Sequence, residues 1–218
     1  MSQRINLNAR NRIFAALGTD AQTEAARHAD AAGLLANLGQ IRPPIDSSDL
    51  TAAFIRAATA SGRVTSVTTI ASLSELPGVV RRYIAANDLQ DVIVLQPWPE
   101  LLALDWQIPT TTSIEPDSLI AVSIARAGIA ETGSLVLSSG HHEPMLFNFL
   151  PLHHIVVLDA QTLCAHLEDT AATIAANLDN PHAITLISGA SGTTDIEGVY
   201  VHGAHGPGYL HIALIRAT

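Results

Sequence analysis

The chain has 218 residues, 48% hydrophobic and 14% charged, with a net charge of −9 from 20 acidic and 11 basic side chains. That length suits one domain with its own core, the apolar content excludes disorder, and no apolar run reaches the roughly 18 residues of a membrane span. The acidic balance disfavours nucleic acid and membrane surfaces as partners, the absence of lysine excludes a Schiff base or a P-loop lysine, and the single Cys164 supplies neither an internal disulfide nor an iron–sulfur cluster.

The N-terminus has Arg4, Arg10 and Arg12 but no continuous apolar segment ahead of a cleavage site, which predicts a cytoplasmic protein. The first sixty residues read as helical, with Ile5, Ile13, Phe14 and Leu17 on one segment and Leu34, Leu35 and Leu38 on the next. Residues 40–48, with Pro43 and Pro44, look like a linker. Residues 49–60 are again helical in pattern and run into Ser61-Gly62. The expected organisation is an N-terminal helical arm over 1–62 and an α/β domain over 63–218.

From Arg63 onward, short β-rich runs alternate with helical patterns, the signature of βαβ units and a mainly parallel sheet flanked by helices. Strands are predicted at 64–70 and 91–95, with a helix between them over 73–86. Residues 96–113, with Pro97, Pro99 and Pro109, read as an irregular connection that holds Trp98 and Trp106 as lids on the core. Residues 119–125 and 134–137 look like the two arms of a hairpin. A buried strand at 154–158, a helix at 161–177 that includes Cys164, and strands at 183–187 and 209–215 complete the pattern.

Three loops concentrate small, hydroxylated and acidic residues against strand ends, where open α/β sheets form ligand crevices. In the first, Gly128 to Ser134, Glu131 can serve as base, nucleophile or hydrogen-bond acceptor, and Thr132, Gly133 and Ser134 can contact a ligand; a plain hairpin turn with a solvated Glu fits equally. The second carries Ser188, Gly189, Ser191, Gly192, Thr193, Thr194, Asp195 and Glu197, either as an anion nest lined by hydroxyls or as a self-capped turn. The third places His205, a candidate proton donor, beside Gly206. The pairs His141-His142, His153-His154 and His202/His205 invite a metal, but neighbours on a strand, like residues three apart, face opposite ways. No metal site is expected.

Gly-Ile-Ala-Glu-Thr-Gly-Ser-Leu-Val-Leu at 128–137, Leu-Pro-Leu-His-His-Ile-Val-Val at 150–157, Ile-Ser-Gly-Ala-Ser-Gly-Thr-Thr-Asp-Ile-Glu at 187–197 and His-Gly-Ala-His-Gly-Pro at 202–207 stand in the order of the signature segments of the LUD-domain family. Over roughly 64–216 the chain resembles that family, and its helical N-terminus is similar to the family's short lactate-utilization branch. The resemblance implies a sugar-isomerase and CoA-transferase-like fold (NagB/RpiA/CoA transferase-like). It also implies a role in oxidising L-lactate to pyruvate beside iron–sulfur partner proteins, with no cofactor in this chain and a small carboxylate or phosphorylated ligand in the crevice. Ala130-Glu131-Thr132-Gly133 resembles the turn that carries the nucleophilic Glu of CoA transferases. A stand-alone acyl or CoA transferase using Glu131, and a non-catalytic ligand-binding or regulatory protein, are the alternatives. Family members often carry a basic residue where this chain has Gly192 and Gly208.

Overall fold

A run such as Ile155-Val156-Val157-Leu158 leaves no polar face, so a strand built from it needs cover on both sides. The computed structural model supplies that cover; it describes residues 12, 24–36, 42–60, 65–116, 118–171, 182–194 and 196–216. The expectations at residues 5, 13, 14, 17, 38, 61, 62 and 195 fall outside these. The chain forms two compact units, 1–43 and 44–218. In the first, α1 spans Glu24–Ala36.

The second unit contains helices α2 (Leu50–Ala58), α3 (Leu76–Ala86) and the short α4 (Pro99–Leu102). Its strands are β1 (Thr65–Ile70), β2 (Ile93–Leu95), β3 (Thr110–Thr111), β4 (Ile120–Ile124), β5 (Ala127–Ile129) and β6 (Ser134–Ser138), then β7 (His153–Asp159), β8 (Leu163–Cys164), β9 (Ile184–Ile187), β10 (Gly192–Thr194), β11 (Tyr200–His202) and β12 (Tyr209–Ile215). Six of them form a wholly parallel sheet in the order β1-β12-β7-β4-β2-β3. A second sheet, β8-β5-β6-β9, is mostly antiparallel, and β10 and β11 make a two-stranded ribbon. The expected mainly parallel α/β sheet is present. Among the described residues no helix is long and apolar enough to cross a membrane.

Alternation along β7 divides the core in two. Ile155 and Val157 face α3, packing with Val79, Val80 and Ile84, while Val156 and Leu158 face the second sheet and α2, packing with Phe54, Leu135 and Leu137. The Asp49 side chain caps α2 by accepting from the Ala52 N–H at 2.8 Å, and the helix buries Ala53, Phe54 and Ala58. Burial of Phe54 contributes about 1.5–3 kcal/mol. α3 begins with Pro77 in its first turn and ends where the Asn87 N–H and side-chain amide both donate to Tyr83 O.

Two expectations need correction. The partner of 134–138 in the hairpin is Ala127–Ile129, not 119–125; β4 belongs to the parallel sheet, and the chain crosses between sheets at Ala125-Arg126. The predicted helix over 161–177 is, as far as residue 169, a 3-10 turn at Ala160–Thr162, strand β8 and a second 3-10 turn at Leu167–Asp169, and residues 170–171 are helical as expected. Residues 172–177 lie outside the described set. Asp159 accepts from the Gln161 N–H at 2.9 Å, and pairing of Leu163 and Cys164 with β5 takes the backbone groups a helix would need. Cys164 is thus a half-buried strand residue. Within 96–113, α4 and β3 add short regular elements, and Trp106 is buried with its Nε1 donating to Leu101 O at 2.8 Å.

Candidate functional site

The tip of the β5–β6 hairpin carries the first set of predicted residues. Glu131 is held by a 3.0 Å contact between its Oε2 and His166 Nδ1, with a quarter of its side chain exposed, and its N–H donates to Ala165 O. A carboxylate that shares a proton-bearing partner and still reaches solvent can act as a base. Beside it, Thr132 Oγ1 lies 2.7 Å from Ser134 Oγ, which in turn hydrogen-bonds Ser188 Oγ. The hydroxyls link the first loop to the second. Gly133 serves a different purpose from the one expected. Its φ is +64°, and a Cβ there would lie 2.2 Å from Ala58 N, so this glycine lets the hairpin close against the end of α2.

The second and third loops meet around a cavity of about 180 Å³, smaller than the roughly 300–1,000 Å³ of sites for drug-sized ligands. Ser188, Gly189, Ser191, His205 and Gly206 all line it, together with Asn148 and His154. Pairing fixes the loops to each other: the Ser191 N–H donates to Pro207 O, and the Gly203 N–H donates to Ser191 O. His154 is wholly buried, and burial pushes its imidazole down to about 3, so it stays neutral. Its Nε2 shares a 2.7 Å hydrogen bond with Ser123 Oγ, while Nδ1 has no partner. A neutral imidazole has one N–H and one lone pair, so Nδ1 keeps whichever role Nε2 does not use. Asn148 Oδ1 is likewise buried and unpartnered. Two orphaned polar atoms on one small cavity are the mark of a site that a polar ligand completes.

Gly192, Thr193, Thr194 and Glu197 lie on or beside the β10–β11 ribbon and are not part of this lining. A side chain at 192 would run into Tyr200, whose hydroxyl lies 1.8 Å from where its Cβ would stand. Glu131 does not line the cavity either and communicates with it only through Thr132, Ser134 and Ser188. Asn148 and His154 escaped the sequence reading as ligand residues because each sits in an apolar run. Polarity inside a fully buried strand was the available signal.

The cavity opens at the amino ends of β7 and β12, since His154 and Leu210 are their second residues. The carboxyl ends of β2 and β4, the usual place for a ligand, are filled instead. Gln96 Oε1 accepts from Trp98 Nε1 and the Ile124 N–H, Arg126 lies 4.5 Å over the Trp98 ring, and Arg126 Nε is 2.6 Å from the buried Glu143 Oε1. His142 Nδ1 donates to Pro97 O at 2.8 Å. A hollow lined by His141, Glu143, Met145 and His182 lies beside this cluster.

Residues 115–215 match the LUD domain family. The chain is 29% identical over 158 residues to "Lactate utilization protein C" of Geobacillus kaustophilus (strain HTA426), a match covering 62% of this chain and 66% of that protein, just under two thirds of its length. It is 29% identical over 154 residues to the protein of the same name from Deinococcus radiodurans, covering 66% and 70%. Over residues 115–215 the chain is similar to the LUD-domain family, and the relatives that match it carry the name lactate utilization protein C. A crystal structure of a DUF162 family protein from Deinococcus radiodurans superimposes with a TM-score of 0.58 at 19% identity, over 79% of this chain and 99% of that one, and shares its fold. The LUD match takes in both sides of the hairpin, β7 and the whole lining of the 180 Å³ cavity. At Gly208 a Cβ would stand 3.2 Å from Leu152 Cδ1.

Proposed function

We propose that this chain is a LUD-domain protein acting in L-lactate utilization, as a subunit beside iron–sulfur proteins that carry the electrons, and that its 180 Å³ cavity holds a small hydroxy- or oxo-carboxylate. The role rests on the relatives named for lactate utilization, matched over about two thirds of their length. The ligand rests on one observation: Asn148 and His154 line a small cavity, and each has a buried polar atom, Asn148 Oδ1 and His154 Nδ1, without a hydrogen-bond partner. A 2-hydroxy acid offers a hydroxyl donor and carboxylate acceptors, which together satisfy an amide oxygen and an imidazole nitrogen.

No carboxylate or guanidinium lines the cavity. A carboxylate would therefore be met by the Ser188 and Ser191 hydroxyls, and an affinity on the order of millimolar is expected. A single cysteine is too few for the thiolates of a cluster, which supports a reading in which partner proteins hold it. The test is a pull-down of tagged protein from lactate-grown cells, with lactate-dependent dye reduction measured on the eluate and on the protein alone, beside growth of a deletion strain on L-lactate. Activity confined to an eluate containing iron–sulfur proteins supports the reading; unaltered growth of the deletion strain on L-lactate contradicts it.

A further inference from the structure

On the opposite face of the parallel sheet, between the end of α3 and the amino ends of β1 and β12, lies a larger cleft of about 500 Å³. Its floor is hydroxylated by Thr65, Ser66 and Thr68, and Val79, Ala86 and Leu210 give it an apolar side. Arg82 stands at its edge. That guanidinium has no hydrogen-bond or ion-pair partner among the described residues, in contrast to Arg81, held by Gln107, and Arg126, held by Glu143. No carboxylate lines the cleft. At the end of α3, Tyr83 O and Ile84 O accept from Asn87 and Leu89.

The back of the cleft is a set of packed rings. Tyr83 lies 4.9 Å from His211 and hydrogen-bonds His153 Nδ1 at 3.0 Å, and the His153 ring stacks on Tyr209 at 4.5 Å. His211 is 95% buried; its Nδ1 shares a 2.7 Å hydrogen bond with Ser66 Oγ, but its Nε2 has no partner, and neither does the buried Thr65 Oγ1. Two buried polar atoms left over beside an uncommitted cation are more than a surface groove requires.

We propose that this cleft is a second ligand site, for a small organic anion, either a carboxylate or a phosphate ester. Arg82 meets the charge, Ser66 and Thr68 donate to the anionic oxygens, and the ligand's carbon body rests on Val79, Ala86 and Leu210. The lining residues between 65 and 87 precede the matched LUD segment, so most of the site is built by the part of the chain outside that match. The inference is independent of the lactate reading.

The test uses the full chain with labelled histidine, titrated separately with inorganic phosphate, L-lactate and benzoate, following the imidazole resonances of His211 and His154. Saturable shifts of His211 with at least one probe are expected. Saturation by phosphate alone would assign the site to phosphate esters, and saturation by either organic acid would assign it to carboxylates. Arg82→Ala, an exposed position where folding is not at stake, should weaken that binding about tenfold or more. Ser66→Ala should weaken it less. The proposal is overturned if no probe saturates at concentrations on the order of tens of millimolar, if only His154 responds, or if Arg82→Ala binds as tightly as the wild type.

Discussion

Replacing Gly133 by Ala separates two accounts of the hairpin tip. If the glycine exists so that a ligand can approach the backbone, the substitution should impair binding and leave stability alone. The geometry says otherwise. Holding an L-residue at φ +64° costs about 1–2 kcal/mol, and the new methyl would stand 2.2 Å from Ala58 N and 2.5 Å from Ala58 Cα, backbone atoms that cannot rotate away. Moving the hairpin off α2 is an overpacking change worth about 1–3 kcal/mol more. The total, about 2–5 kcal/mol, is a large share of the roughly 5–15 kcal/mol of a typical domain. Gly198 supplies the control, because its φ is +81° but a Cβ there meets nothing within 4 Å. Gly198→Ala should carry the conformational cost alone. Urea unfolding of both variants measures the difference, and equal destabilisation would refute the claim that Gly133 is fixed by contact with α2.

Burial pushes His154 down to about 3 and His211 to about 4, from an ordinary 6.5. The unfolded chain therefore takes up these protons first, so stability is full above about pH 6.5 and falls as the pH drops toward 4, by about 1.4 kcal/mol per unit for each histidine. Urea titrations at pH 7.5, 6 and 5 would show it, with a shallower slope in His211→Gln; a flat profile would contradict the burial of both rings. Asn148→Leu removes an unpartnered buried oxygen, so stability should hold or rise by up to about 1 kcal/mol while binding of a hydroxy acid in the 180 Å³ cavity is lost. Retained binding, followed by the His154 resonances, would remove Asn148 from the site. Glu131→Gln should leave that binding within about twofold, because Glu131 does not line the cavity; a thioester formed at Glu131 with acyl-CoA would instead establish the transferase alternative.

The parallel sheet was readable because continuous apolar runs such as 155–158 and 212–215 have few other uses, and the alternation rule correctly set His153 and His154 on opposite faces. The jump between sheets at Ala125-Arg126 was not readable. β4 and β5 merge into one apolar stretch, and side-chain periodicity carries no record of which sheet a strand joins. The same limit explains 161–169: Leu163, Cys164 and Leu167 keep helical spacing, but a two-residue pairing with β5 decides the backbone. At the site, the residues picked out by glycine and hydroxyl clusters that line one cavity are Ser188, Gly189, Ser191, His205 and Gly206. The polar wall opposite them, Asn148 and His154, comes from a loop and a strand far off in sequence, and only the tertiary fold shows that their partners are missing.

The two ends of the sheet make opposite demands on a substitution, and that contrast tests where ligand chemistry belongs. At the carboxyl ends, Arg126 is committed twice, to the Trp98 ring and to Glu143, which also accepts from Ser138 Oγ. Groups bonded in this way hold the fold together and have little left to offer a ligand. Glu143→Ala leaves Arg126 without its counter-ion and Ser138 without its acceptor; because Arg126 is 30% exposed, the loss should fall below the 3–5 kcal/mol of a wholly buried pair, at about 2–3 kcal/mol. At the amino ends, the buried atoms of Asn148, His154 and His211 without partners cost stability, which a hydrogen-bonding ligand would offset. Glu143→Ala should therefore lower the unfolding free energy yet leave hydroxy-acid affinity per folded molecule unchanged, the reverse of Asn148→Leu. If Glu143→Ala abolished binding at full stability, the ligand would belong to the hollow beside His141 and His182, and the assignment to the amino edge would fail.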